Sequence, residues 1–297
     1  MIEIKNVFCP VDFSTCSAHA LDHAGAIARW YQAKLTLLYV FPNLPAVDLP
    51  PIVLSDQERE RLSSDLKEFA RRVQGVDIDV HVREAPDVHS EINAMAEHCH
   101  ADLLVLGSHG RSGLNRLLLG SVTERVIRKP PCPTMVVPEA AAGHDPSQPV
   151  RFQRILCPVD FSAPSTRALA YATALAEEAD ARLLALHVIE IPPEWRERSV
   201  AAHVNVDQVR AAAEAASLRR LRAMIPEEAR TYCTVETAVE EGAAYKQILK
   251  VAQDRTIDLI VMGTHGHGML NAMLSGSTTA RVVRAATCPV IVGAPPE

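Results

Sequence analysis

Two stretches of the chain carry glycine, histidine and a hydroxyl residue at one shared spacing. Gly107-Ser-His109-Gly110 is followed, after nine residues, by Gly120-Ser121, and Gly263-Thr-His265-Gly266 is followed, again after nine, by Gly276-Ser277. Glycine lets a backbone approach a ligand with no Cβ in the way. A helix that starts at such a point turns free N–H groups and the positive end of its dipole toward the loop. Together these features hold an anion, most simply a phosphate. Ser121-Val122-Thr-Glu124 reads as a capping box opening the first such helix, whereas Ser277-Thr278-Thr-Ala lacks the glutamate. The repetition argues against tight turns alone as the reason for the glycines.

Other chemistry fits less well. There is no Gly-x-x-x-x-Gly-Lys-Ser/Thr, so no P-loop lysine steadies a phosphoryl group in flight. The histidines of His265-Gly-His-Gly268 are too closely spaced for a nucleotidylyl transferase signature, and the first stretch has only His109. Ser121, Thr123, Ser277 and Thr278 are available to place a water for slow hydrolysis. Cys16, His19 and His23 would share a helix face, and His98-Cys99-His100 cluster, but neither set recurs in the second half, which favours plain helix surface over a metal site. Trp30 and Trp195 lack an accompanying basic patch and read as packing residues.

The elements that position these residues alternate. A strand ends at Cys9-Pro10-Val11-Asp12, a helix follows from Ser14 or Ser17, and "KLTLLYV" is a second strand. A proline-rich loop leads to a helix opened by the capping box Ser55 to Glu58. Then come the strand "DIDVHV", the helix "VHSEINAMAEHC", the apolar strand "DLLVLG", the glycine loop, a helix from Ser121 to about Lys129, and the strand "TMVV". The same order returns from Ile155, where "ILCPVDFS" restates "VFCPVDFS". Domains are expected at 1–139 and 153–297 with a linker at 140–152. Alternating strands and helices imply an α/β fold in which helices cover both faces of a parallel sheet. The short last strands, 134–137 and 290–293, offer uncovered edges and are expected to pair with each other.

A chain of 297 residues accommodates two such domains. The net charge of −6 gives no basic face for nucleic acid or an anionic membrane. The N-terminus shows no basic segment followed by a long apolar run, and no apolar stretch approaches membrane-spanning length, so a cytoplasmic protein is expected. Seven cysteines include the matched pairs Cys9 with Cys157 and Cys132 with Cys288, which suits buried thiols in a reducing compartment.

The signature Gly-x-x-Gly, nine residues, Gly-Ser, together with "CPVDFS" in each half, resembles the universal stress protein family over essentially the whole chain. That resemblance implies two tandem doubly wound domains, each with a five-stranded parallel sheet of order 3-2-1-4-5, Rossmann-like and adenine-nucleotide-binding. It implies ATP, or another adenine nucleotide, in each half, in a site that admits magnesium. Carried over position by position, Pro10, Asp12 and Val40 would meet the adenosine end in the first half, and Pro158, Asp160 and Val188 in the second. Gly107, His109, Gly110, Arg111, Gly120, Ser121 and Val122 would hold ribose and phosphates, as would Gly263, His265, Gly266, Gly276, Ser277 and Thr278. No residue is assigned to catalysis or to a metal. Ala85 stands where the second half has Gly242, which questions whether the two sites are equal. The expected role is a nucleotide-responsive stress protein acting by binding and conformational change, within an internal pseudo-dimer joined through the last strands and open to forming a homodimer. A slow ATPase whose hydrolysis is the switch, and a dimerisation module with vestigial pockets, are the alternatives.

Overall fold

Strand β1 (Asn6–Pro10) is apolar on both faces, with Val7, Phe8 and Cys9 wholly buried, as a central parallel strand must be. The computed structural model describes residues 2–43, 53–110, 119–141, 152–191, 206–264 and 278–294. Helix α1 (Thr15–Tyr31) begins where the Ser14 side chain accepts the Ser17 N–H at 3.2 Å, and ends at Gln32 in the left-handed conformation. Strand β2 (Lys34–Pro42) follows, then α2 (Asp56–Ala70), β3 (Ile78–Ala85), α3 (Val88–His98), β4 (Leu103–Gly107), α4 (Ser121–Arg128) and β5 (Thr134–Val137). The capping box at Ser55 and Glu58 is present, each residue accepting the other's backbone N–H. β2 and β4 flank β1, β3 pairs with β2 and β5 with β4, all parallel, giving the order β3-β2-β1-β4-β5.

The second half repeats this with β6 (Arg154–Pro158), α5 (Ala163–Ala179), β7 (Arg182–Ile189), α6 (Val206–Met224), β8 (Thr234–Glu241), α8 (Ala244–Asp254), β9 (Leu259–Met262), α9 (Thr278–Ala285) and β10 (Val290–Val292). A short helix, α7 (Ala229–Tyr232), is an element the periodicity does not announce. The parallel pairs β6 with β7, β6 with β9 and β7 with β8 reproduce the first half's strand order. Even irregular backbone is duplicated: non-glycine residues with positive φ fall at Phe13 and Phe161 (63° and 65°), Gln32 and Asp180 (54° and 49°), and His100 and Thr256 (both 48°). Asp102 accepts from the Lys5 and Asn6 N–H groups, and Asp258 does the same for Gln153 and Arg154, so one carboxylate in each half fastens the start of its central strand.

By compactness the chain divides into a unit of Glu3–Arg151 with Val283–Glu297 and a unit of Met1–Ile2 with Phe152–Val282. β10 belongs to the first of these because it runs antiparallel to β5, with Val290 opposite Val136 and Val292 opposite Thr134. The expected pairing of the last strands is therefore found. None of the seven cysteines, all among the described residues, forms a disulfide, and Cys9 and Cys157 are wholly buried at matching positions. Among the described residues no helix is long and apolar enough to cross a membrane.

Candidate functional site

The carboxyl ends of β1, β2 and β4 open onto a cleft of about 330 Å³ in the first half, where a doubly wound sheet offers its ligand crevice. Pro10, Asp12, Val40, Gly107, His109, Gly110, Gly120, Ser121 and Val122 all line it. Arg111 lies outside the described residues.

Asp12 is fixed at the end of β1 by a local turn. Its Oδ1 accepts the Ser14 N–H at 3.0 Å, and its own N–H donates to Ser17 Oγ at 3.4 Å. A Cβ on Gly110 would stand 2.6 Å from Asp12 Oδ2, so any larger residue there would force the carboxylate to shift. Gly107 has a different reason. A Cβ there would come within 2.9 Å of the Cys16 carbonyl carbon and oxygen, so this glycine serves the close approach of α1 to β4. The loop closes on itself where Gly120 N–H donates to the Ser108 carbonyl at 2.8 Å, and a Cβ on Gly120 would press on that same oxygen at 3.2 Å. Ser108 Oγ and His109 Nδ1 are 2.8 Å apart, and among the described residues His109 Nε2, though buried, has no hydrogen-bond partner.

Helix α4 starts differently from the capping box expected of Ser121 and Glu124. Gly120 is the N-cap and supplies no side-chain acceptor, Ser121 is already the first helical residue, and Glu124 lies 3.4 Å from Arg128 instead. The first intrahelical bond runs from Glu124 N–H to the Gly120 carbonyl, so the N–H groups of Ser121, Val122 and Thr123 have no partner within the helix. A side-chain cap would take one of those donors, so the glycine cap leaves all three for an anion. Thr123, offered by its spacing as a water-placing hydroxyl, instead donates to the Gly107 carbonyl at 2.8 Å and ties α4 to the end of β4.

The cleft also has an apolar lining, from Leu38, Tyr39, Val40 and Pro42 of β2 and Val88 and Ile92 of α3. Of these only Val40 stands out in the sequence. The others follow from position alone, since they end β2 and begin α3 beside the crevice. The cleft thus combines an apolar lining with a rim of backbone donors.

In the second half, Pro158, Asp160 and Val188 occupy the corresponding strand ends, and Thr278 opens α9. Asp160 Oδ1 accepts from the Ser162 N–H at 3.0 Å and its N–H donates to Ser165 Oγ at 3.3 Å, as Asp12 does with Ser14 and Ser17. A Cβ on Gly263 would meet the Pro164 carbonyl carbon at 2.9 Å, and Thr279 Oγ1 donates to the Gly263 carbonyl at 3.0 Å. His265, Gly266, Gly276 and Ser277 lie outside the described residues. Gly242, opposite Ala85 by register, has φ of 131°, a conformation alanine does not favour. Of the first helix's sulfur and imidazole groups, Cys16 packs under Gly107 and His23 Nδ1 lies 2.9 Å from the His19 carbonyl oxygen. Among the described residues no group of three or more His, Cys, Asp or Glu side chains is placed to hold a metal ion.

Comparisons with known proteins identify the family. The model of the universal stress protein family matches residues 3–138 and again 151–293. A universal stress protein of Mycobacterium bovis is 29% identical over 293 residues, covering 95% of this chain and 94% of its own. A universal stress protein of Methanocaldococcus jannaschii is 36% identical over 138 residues, 45% of this chain and 81% of its own. The crystal structure of a universal stress protein from Archaeoglobus fulgidus matches with a TM-score of 0.65 at 23% identity, covering 97% of this chain and 98% of that one, which speaks to fold. With both segments matched in tandem, the chain belongs to the universal stress protein family.

Proposed function

We propose that the first-half cleft binds an adenine nucleotide, ATP foremost, and that the protein responds to nucleotide by binding and conformational change. The observation that carries this reading is that one cleft is lined both by apolar side chains, Tyr39, Pro42 and Val88 among them, and by the start of α4, whose N-cap Gly120 offers no side chain. A flat base suits the first and an anionic phosphate the second. Adenine in particular is supported by the Gly-x-x-Gly, nine residues, Gly-Ser signature. His109 Nε2, buried and without a partner among the described residues, is a polar atom that a ribose or phosphate oxygen would satisfy. A magnesium ion travelling with the phosphates would find the Ser121 hydroxyl as an oxygen donor, and its chemistry there would be charge neutralisation.

The second half, with Asp160, Gly263 and Thr279 repeating the first half's arrangement, is proposed as a second nucleotide site. The pairing of β5 with β10 supports an internal pseudo-dimer joined at those strands. Seven cysteines without a disulfide accord with the cytoplasm. The test is to denature freshly purified protein and identify what it releases. Adenine nucleotide in the supernatant supports the reading; a protein that releases none and takes up no added ATP sinks it. Incubation with γ-labelled ATP separates a pure binder, which leaves the label on the nucleotide, from a slow ATPase, which frees phosphate.

A further inference from the structure

The phosphate chain of a nucleotide carries several negative charges, yet among the described residues that line the first-half cleft there is no lysine or arginine, and Asp12 adds a carboxylate. The N–H groups at the start of α4 offset only part of that charge. Arg125 stands one turn along the same helix, four residues from Ser121 and three from Val122, and so shares a face with both cleft residues. Long helical side chains lean toward the N-terminus of their helix, which turns this guanidinium back toward the rim at Ser121. Its partner lies beside the cleft. Arg125 Nη1 is 3.5 Å from Oδ1 of Asp87, the N-cap of α3, and the next residue, Val88, is part of the lining. In the second half the matching residue of α9, Arg281, has its guanidinium 4.8 Å from the centroid of the Tyr245 ring, again at the start of the neighbouring helix, α8.

The contact with Asp87 is one that Arg125 can give up at little cost. Asp87 Oδ1 is also 2.5 Å from His89 Nδ1, and Oδ2 accepts from Ser90 Oγ at 2.7 Å, so each oxygen keeps a partner when the arginine leaves. Both members of the Arg125–Asp87 pair are exposed, where an ion pair contributes little. From this placement, which rests on the nucleotide reading above, we infer that Arg125 is a further phosphate-binding residue of the first-half site and exchanges Asp87 for the phosphate chain when nucleotide binds. A guanidinium offers paired donors to phosphate oxygens, and such charge-assisted bonds are stronger than the long contact it leaves. The residue lies beyond the Gly-Ser that closes the signature, so the spacing of the glycines does not mark it.

ATP titrations by calorimetry test this on the full chain carrying Gly276→Val, so that the first half is read alone. Adding Arg125→Gln should weaken ATP about fivefold to tenfold, and Arg125→Lys, which keeps the charge without the fork, should lose less. Arg128→Gln removes an arginine of the same helix that faces Glu124 instead, at 3.4 Å, and should change ATP affinity by less than about twofold. Salt dependence separates charge from shape: the affinity of the Arg125→Gln protein should decline less steeply as salt is raised. No loss in Arg125→Gln, an equal loss in Arg128→Gln, or an unchanged salt slope would overturn the inference while leaving the nucleotide reading intact. Absence of ATP binding in the unmodified protein would overturn both.

Discussion

At the residue scale the motif's glycines divide by purpose. Gly107 and Gly263 are shaped by helix packing, Gly110 by the Asp12 carboxylate and Gly120 by the Ser108 carbonyl. Spacing alone treats them as one class, because a pattern records which Cβ is missing and not what takes its place. Gly110→Ala would push on Asp12 Oδ2, which cannot swing aside without loosening Oδ1 from the Ser14 N–H. ATP affinity in the first half is expected to fall about tenfold, equivalent to roughly 1.4 kcal/mol, and calorimetry reads it directly. The thiols make a separate prediction. Burial pushes the Cys132 thiol from 9.0 up to about 12, and it drives Cys9 and Cys157 upward as well. Below pH 9 both folded and unfolded chains keep the Cys132 proton, so it leaves stability unchanged. Between about pH 9 and 12 only the unfolded chain ionises, and stability falls as pH rises, by up to about 1.4 kcal/mol per pH unit for one group. Cys132→Ala should flatten part of that alkaline decline in denaturant titrations, and an unchanged slope would refute the assignment.

At the scale of elements, most of the fold was legible. Strands such as "DLLVLG" are continuous apolar runs because both faces are buried, and the helices show their period against that sheet. The start of α4 was misread because Ser121 and Glu124 have the spacing of a capping box, and a glycine N-cap one residue earlier leaves no comparable pattern. The apolar walls of the cleft were mostly hidden for another reason: Tyr39, Pro42 and Ile92 look like any core residue until the ends of β2 and α3 are brought together. Thr123 and Thr279 make one structural bond twice, each hydroxyl donating to the glycine carbonyl at the end of β4 or just past the end of β9. Replacing either by valine keeps the shape and strands a carbonyl, for a loss of about 1 to 2 kcal/mol per site by chemical denaturation. Helix α1 makes a tighter prediction. A Cβ on Gly25 would come within 2.5 Å of Val73, so Gly25→Ala should destabilise the protein and Val73→Ala should restore much of the loss when the two are combined.

At the scale of the molecule, duplication carries the account. The repeat was plain in the sequence, and the structure extends it to left-handed residues and anchoring aspartates that no motif search would choose. Ligand that binds only folded protein stabilises it in proportion to the logarithm of its concentration, about 2.7 kcal/mol at a hundredfold excess over Kd. ATP should therefore raise the melting temperature of the wild-type protein. The central claim is that the cleft between Asp12 and the start of α4 is a nucleotide site, and one measurement addresses it most directly. Equilibrium titration of ATP into the Gly276→Val protein, with and without Gly120→Val, isolates that cleft. Saturable binding of one nucleotide per chain, abolished when valine at 120 presses on the Ser108 carbonyl, is the predicted result. Binding that survives Gly120→Val in a folded protein, or none in either, would contradict it.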